Sequence, residues 1–260
     1  MPSETITSAI FALTPSESKR LIARAVAALP EVRRAMEQGR IIIANGTTNA
    51  FVAEELLGIS VPKYRFAAGI IAEGLLAETR PEDRLPPYVL RNGQPVDVPA
   101  KEMIREFEAD DVFIKGGNAV DPQGNVGILM ANERGGTIGM ALGTVVARGA
   151  HLIAPVGLEK LVPSVPEAAR KCGQLRQKYH LGSPVGLMPL VNARVITEVQ
   201  ALDILAGVQA THVASGGING SEGAVVLVAE GSEEDVARAF RLVERIKGEP
   251  PVRGQGLTTR

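Results

Sequence analysis

Apolar positions along the chain change period several times, and each change marks an element. Leu21, Ile22, Ala25, Val26 and Leu29 recur at helical spacing behind Thr14-Pro15-Ser16-Glu17. That start has an N-cap threonine, a proline at the first helical position and a glutamate three residues past the cap. Pro30 interrupts the pattern, and a second short helix is predicted to run to about Gln38. The period then switches. Residues 41–44 read as a buried parallel strand and 48–57 as a helix ended by Gly58, with Asn45-Gly46-Thr47 as the tight loop between them. Residues 64–73 predict a strand region ending at Glu73-Gly74, and 81–99, rich in proline, an irregular excursion with a small hairpin at Asn92-Gly93.

A short helix over 101–107 leads into Val112–Ile114, too short for a helix and β-branched or aromatic, hence a buried strand. Gly116-Gly117 and Asp121-Pro122-Gln123-Gly124 force turns after it, because glycine supplies positive φ and proline pre-sets φ. A strand at 128–130, a glycine-rich polar loop at 132–136, a helix at 137–148 and a strand at 151–156 follow. Alternating strand and helix implies a mostly parallel sheet with flanking helices, an α/β, Rossmann-like domain over residues 1–182.

From Ser183 the order changes. An extended run at 184–195, a helix at 198–205, strands at 212–215 and 224–229 around the 216–223 turn, and a helix at 233–247 make a β-α-β-β-α order. This predicts a small α+β domain over 183–248, its last helix capped by Ser232 and buried along Val236, Phe240, Val243 and Ile246. Residues 249–260 read as a disordered tail.

Composition adds mainly exclusions. At 260 residues the chain can bury about three-quarters of its unfolded surface. A net charge of −1 offers nothing to attract nucleic acid or an anionic membrane, so neither is an expected partner. Cys172 is the single cysteine, which rules out an internal disulfide and a thiolate metal cluster, and His151, His180 and His212 are too far apart for a local metal motif. No metal or cofactor is expected. No apolar run reaches the roughly 18 residues that span a bilayer, and the N-terminus lacks a basic, then apolar, signal pattern, so a cytoplasmic protein is expected.

The candidate chemistry lies where strands end. In an open α/β sheet, ligands bind at the carboxyl ends of strands. The Asn45-Gly46-Thr47-Thr48-Asn49 junction aims backbone N–H groups and a positive helix end at one point, which favours phosphate or carboxylate by roughly 0.3–2 kcal/mol from the dipole alone. It is not a P-loop, since the lysine of that motif is absent. An N-cap with a close-packing glycine is the plainer alternative. Lys115 either meets an anionic ligand or reaches solvent along its stem. Asn118 and Asp121 are ligand contacts or turn residues that bond their own backbone. Glu133 and Arg134 are an acid and anion-binding pair or a solvated surface pair. His151 reads as structural, and Cys172 has no evident partner base. The 216–221 turn is a hairpin connection or a lid.

The order strand–NGTTN–helix, then FIKGGNAVDPQGN, then NERGGTIGMALGTVVARGAHLIAPVG, then the small domain, resembles type A ribose-5-phosphate isomerase. More broadly it resembles the superfamily that includes glucosamine-6-phosphate deaminase, the CoA transferases and the lactate-utilisation proteins. The resemblance implies that the Asn45-Gly46-Thr47-Thr48-Asn49 loop is a phosphate cradle and that the protein is a dimer or tetramer of identical chains. The family's D-G-A-D carboxylates fall on Lys115-Gly116-Gly117-Asn118, its K-G-G-G on Arg134-Gly135-Gly136-Thr137, and its catalytic glutamate on Gly143. A glycine cannot act as the base that proton transfer between sugar carbons requires. The expectation is therefore a small anionic metabolite, phosphorylated or carboxylated, bound between Asn45–Asn49, residues 115–121 and residues 132–136. If catalysis occurs, Lys115, Asp121 or Glu133 supplies the acid–base or electrostatic help, in isomerase- or transferase-type chemistry rather than standard ribose-5-phosphate isomerisation.

Two alternatives remain open. One is a non-catalytic sensor or assembly subunit on the same fold. The other is acyl-CoA transfer or hydrolysis, because Asp121-Pro122-Gln123-Gly124-Asn125 resembles the D-x-x-G-N of CoA transferases, and Glu73-Gly74 resembles their nucleophilic glutamate followed by glycine.

Overall fold

Three isoleucines in a row, Ile41 to Ile43, are fully buried because both faces of their strand are covered. Side chains alternate across a strand, so Ile41 and Ile43 enter one core and Ile42 the other. The neighbouring strands divide in the same way. Val112, Ile114 and Ile153 join the first core, while Phe113, Leu152 and Ala154 join the second. Burying each such side chain contributes roughly 1.5–3 kcal/mol.

The computed structural model describes residues 6–254 and the backbone of 257 and 258. Its main sheet has six strands in the order Arg194–Ile196, His151–Pro155, Val112–Ile114, Arg40–Ile43, Tyr88–Arg91 and Gln94–Pro95. The first four run parallel. The last two form an antiparallel hairpin whose turn is Asn92-Gly93, both at positive φ, the conformation that an Asn-Gly pair favours. The helices Pro15–Ala28 and Thr47–Leu57 supply the first core, and Gly136–Arg148 with Ala100–Met103 the second. Thr14 and Glu17 close a reciprocal capping box at the first helix. The protein is thus α/β, with one mostly parallel six-stranded sheet and, among the described residues, three antiparallel three-stranded sheets. Among the described residues, no helix is long and apolar enough to cross a membrane.

A second, three-stranded antiparallel sheet has the order Thr7–Leu13, Val225–Gly231, Gln209–Ser215. The N-terminal strand thus pairs along its whole length with residues near the C-terminus. Its inward side chains, Phe11 and Leu13, face the same core as Leu227 and Val225, their register partners. The extended run expected to open a separate C-terminal unit goes elsewhere. Gly186–Leu190 pairs with Val126–Met130, and Arg194–Ile196 joins the main sheet beside His151–Pro155. Apolar rows near the two chain ends thus complete one another regardless of their distance in sequence.

Two further expectations change. Ser232 caps the helix Glu233–Ile246 as expected, but Phe240 is 43% exposed, and Ala239 and Leu242 take the inward positions beside Val236, Val243 and Ile246. Glu249, expected in a disordered tail, binds Arg20 through both carboxylate oxygens at 2.9 and 3.1 Å, and Leu257–Thr258 pairs antiparallel with Glu78 and Thr79. Residues 255, 256, 259 and 260 lie outside the described residues.

Leu13 is fully buried at the far end of the chain from its strand partner Val225. Leu13→Ala is expected to lower unfolding free energy by about 2–5 kcal/mol. Urea denaturation measures it, and a loss below about 1 kcal/mol would show the N-terminal strand to be peripheral.

Candidate functional site

Ile43, Ile114 and Ile153 lie side by side in register; the first two end their strands and the third is two residues from the end of its own, at Pro155, so the loops leaving all three start at the carboxyl end of the sheet. Backbone bonds continue the line outward: Ala44 N–H donates to Ile114 O at 3.0 Å and Lys115 N–H to Ile153 O at 3.0 Å. Asn49, fully buried, ties the same ends together by donating from Nδ2 to Ala44 O at 2.6 Å and to Ile114 O at 3.3 Å. Asn45 donates to Leu85 O at 2.8 Å. These two asparagines hold the loop, and Gly46, Thr47 and Thr48 face a cavity of about 490 Å³. Gly46, the N-cap, gives the helix Thr47–Leu57 no side-chain cap, so the positive end of the helix dipole is turned toward the cavity.

Residues 115–118 form the next wall. Lys115 donates from Nζ to Asn45 O at 2.8 Å. Loss of hydration lowers its pKa to about 8, and no carboxylate counteracts that fall. Gly117 is obligatory: a Cβ there would meet Val126 Cγ1 at 2.4 Å. Asn118 accepts from Leu129 N–H at 3.0 Å and binds the loop to the following strand.

The third wall comes from Asn132, Gly135, Gly136 and Thr137, where the helix Gly136–Arg148 begins without a side-chain cap on its N-cap Gly135. Asn132 Oδ1 accepts from the amides of Arg134 and Gly136 at 2.9 and 3.3 Å and shapes that turn. Two helix N-termini and Lys115 thus line one cavity. The hairpin of Gly69–Ala72 and Leu75–Thr79 supplies a further wall through Ile70, Ile71 and residues 76–78.

Five sequence-chosen residues lie outside this lining, the buried Asn49 among them. Asp121 is 3% exposed, and its oxygens accept from the amides of Gln123, Asn125 and Val165 and from Asn125 Nδ2, all at 2.9–3.1 Å. These bonds hold its carboxyl below the ordinary aspartate value against the upward push of burial. It organises the turn and has no free face for acid–base work. Glu73 is exposed, at positive φ, in the tip of the hairpin. Glu133 and Arg134 are exposed on a separate surface depression.

The cavity also holds charged groups outside the candidate loops: Lys19, Glu159 and Lys160, and Arg84 paired with Glu78 at 3.3 Å. Lys19 donates from Nζ to Pro15 O at 3.0 Å and to Glu159 Oε1 at 3.3 Å, and Lys160 reaches the same oxygen at 2.6 Å. Burial pushes Glu159 up, but Lys160 and Lys19 outweigh it and hold the carboxyl below its usual value. Behind it lies Glu198, fully buried, with Oε2 accepting from Leu158 N–H at 2.9 Å. Burial, and then the charge of Glu159, raise the Glu198 pKa to about 7. Gly157 makes room for both acids: a Cβ there would lie 1.8 Å from Glu159 Oε2 and 3.0 Å from Glu198 Oε1. Neither of those two oxygens has a hydrogen-bond partner. In the sequence Lys19 is one polar position of an amphipathic helix and Glu198 an ordinary first-turn acid, so only Glu159-Lys160, in the VGLEK stretch, stands out.

Fold and site together define an α/β protein with a cavity of ordinary small-ligand size at the carboxyl end of a mostly parallel sheet. The chain matches no family model, no curated protein and no solved structure.

Because its pKa is raised in the folded state, Glu198 keeps its proton when the unfolded chain has lost it. Stability should therefore fall as pH rises from about 4.5 to about 7, by roughly 3 kcal/mol, and stay low above that. In Glu198→Gln this component should vanish. Denaturant titrations of both proteins across the window measure it, and parallel pH curves would contradict the assignment.

Proposed function

We propose that the protein binds a small metabolite bearing a phosphate or carboxylate, with the anionic group held among Lys115, the Gly46-Thr47-Thr48 helix start and the Gly136-Thr137 helix start. The observation that carries this reading is Lys115: a cavity-lining ammonium whose side-chain hydrogen bond goes to a backbone carbonyl, with no carboxylate to neutralise it. A cation in that state gains most from an anion that enters the cavity, since charge-assisted bonds are roughly twice as strong as neutral ones. The two helix ends add the same preference.

The resemblance to ribose-5-phosphate isomerases stays a matter of element order and loop type. The positions that would need its carboxylates hold Lys115, Asn118 and Gly143. Acyl transfer through Glu73 gains no support, because that carboxylate sits at an exposed hairpin tip away from the lining. A sensor or assembly subunit uses the same cavity without turnover. What favours it is that Asp121 is fully hydrogen-bonded in its turn and Glu133 lies outside the cavity. A cytosolic protein built of two or four identical chains is the setting we infer for either form.

Calorimetric titration with glycerol phosphate tests the reading. Lys115→Met should weaken binding about 10- to 100-fold, the range for one hydrogen bond to a charged group. Glu73→Ala should leave affinity unchanged. Absence of binding or thermal stabilisation with every phosphorylated and carboxylated compound tried would end the proposal.

A further inference from the structure

Besides Arg84, which is paired with Glu78, the cavity has two cationic places. Lys115 is one. Lys19 and Lys160 are the other, and they differ in that both ammonium groups converge on a single oxygen of Glu159. The other oxygen of Glu159 turns to Gly157, where Oε1 of Glu198 also lies, and both oxygens are buried without a donor. Two buried carboxylates with oxygens so placed cannot both ionise cheaply, and a proton shared between them satisfies both orphaned atoms at once. Glu198 is faced by Glu159 from the turn after His151–Pro155 and by Lys19 and Ser18 from the first helix, while Lys160 lies on Glu159. Ser18 Oγ makes no hydrogen bond of normal geometry.

We propose that Lys19 and Lys160 form a second anion subsite, so that the ligand carries anionic groups at two places, and that filling this subsite drives a proton onto the Glu159–Glu198 pair. The inference rests on the reading of the cavity as an anion site. Glu159 is the counter-charge of the two lysines until a ligand anion takes its place. An incoming anion and an ionised Glu159 on the same ammonium groups repel one another, and protonating the pair removes that repulsion. The proton comes from solvent: an O–H bond forms on the carboxylate pair, and the two lysines pass to the ligand. No other bond is made or broken. The raised affinity of Glu198 for a proton places this uptake near neutral pH.

Two probes separate the subsites: glycerol phosphate, with one anionic group, and 3-phosphoglycerate, with a phosphate and a carboxylate. At about pH 8 both phosphates are doubly ionised, so proton uptake reports the protein. Lys115, itself half deprotonated near pH 8, takes up part of a proton with either probe, so calorimetry in two buffers of different ionisation heat should show at least tenfold tighter binding of phosphoglycerate and an uptake exceeding that of glycerol phosphate by nearly one proton. Above neutrality, phosphoglycerate affinity should fall about tenfold more per pH unit than glycerol phosphate affinity, the slope difference for one linked proton. Glu159→Gln should abolish the excess uptake and the extra slope, and Lys160→Met should erase the advantage of the second anionic group. Equal affinities for the two probes, or an excess uptake with phosphoglycerate that survives in Glu159→Gln, would overturn the inference while leaving the Lys115 site standing. Failure of both probes to bind would remove the reading beneath it as well.

Discussion

The parallel registration of Ile43, Ile114 and Ile153 is the constraint on which the site depends. Each is fully buried, and each belongs to a strand covered on both faces, so none can slip without moving a whole set of side chains into the wrong core. Two of these strands end level at Ile43 and Ile114 and the third runs on only to Pro155, so the loops that follow them share one space. Asn49 then locks two of those ends with a single amide, and Gly117 lets the middle loop approach Val126. The cavity is a product of sheet geometry before it is a product of any polar residue.

Charge is distributed over that cavity unevenly. Lys115 has lost hydration without gaining a carboxylate, whereas Lys19 and Lys160 are matched to Glu159. The acid behind them, Glu198, is raised by burial and then by Glu159 to about 7, and one of its oxygens lies beside Gly157. A glycine at that position is therefore an electrostatic device as much as a backbone one: it permits two acids to approach that any side chain would separate.

Loop residues near their strands were legible because turn chemistry is local. Asn92-Gly93 named its hairpin, Thr14 and Glu17 their capping box, and the Asn45-Gly46-Thr47 junction its strand-to-helix turn. Residues whose role depends on distant partners were not legible. Asp121 reads as a free acid in a turn, yet Val165, 44 residues away, takes one of its oxygens. Lys19 and Glu159 are 140 residues apart, and nothing around either one announces the other. Phe240 shows the same limit in a helix, where period alone cannot choose between adjacent positions at the edge of the buried stripe.

By itself the sequence determined the α/β class, the carboxyl-end loops and the absence of internal disulfides, because hydrophobic period, turn chemistry and residue counts are properties of short stretches or of the chain as a whole. Tertiary structure alone decided that the N-terminal strand completes the C-terminal sheet, that Arg194–Ile196 belongs to the main sheet, and that Lys19, Glu159, Lys160 and Glu198 meet. The reason is common to all three. Pairing and burial act across space, and a residue's charge state follows from what surrounds it after folding, which local sequence does not encode.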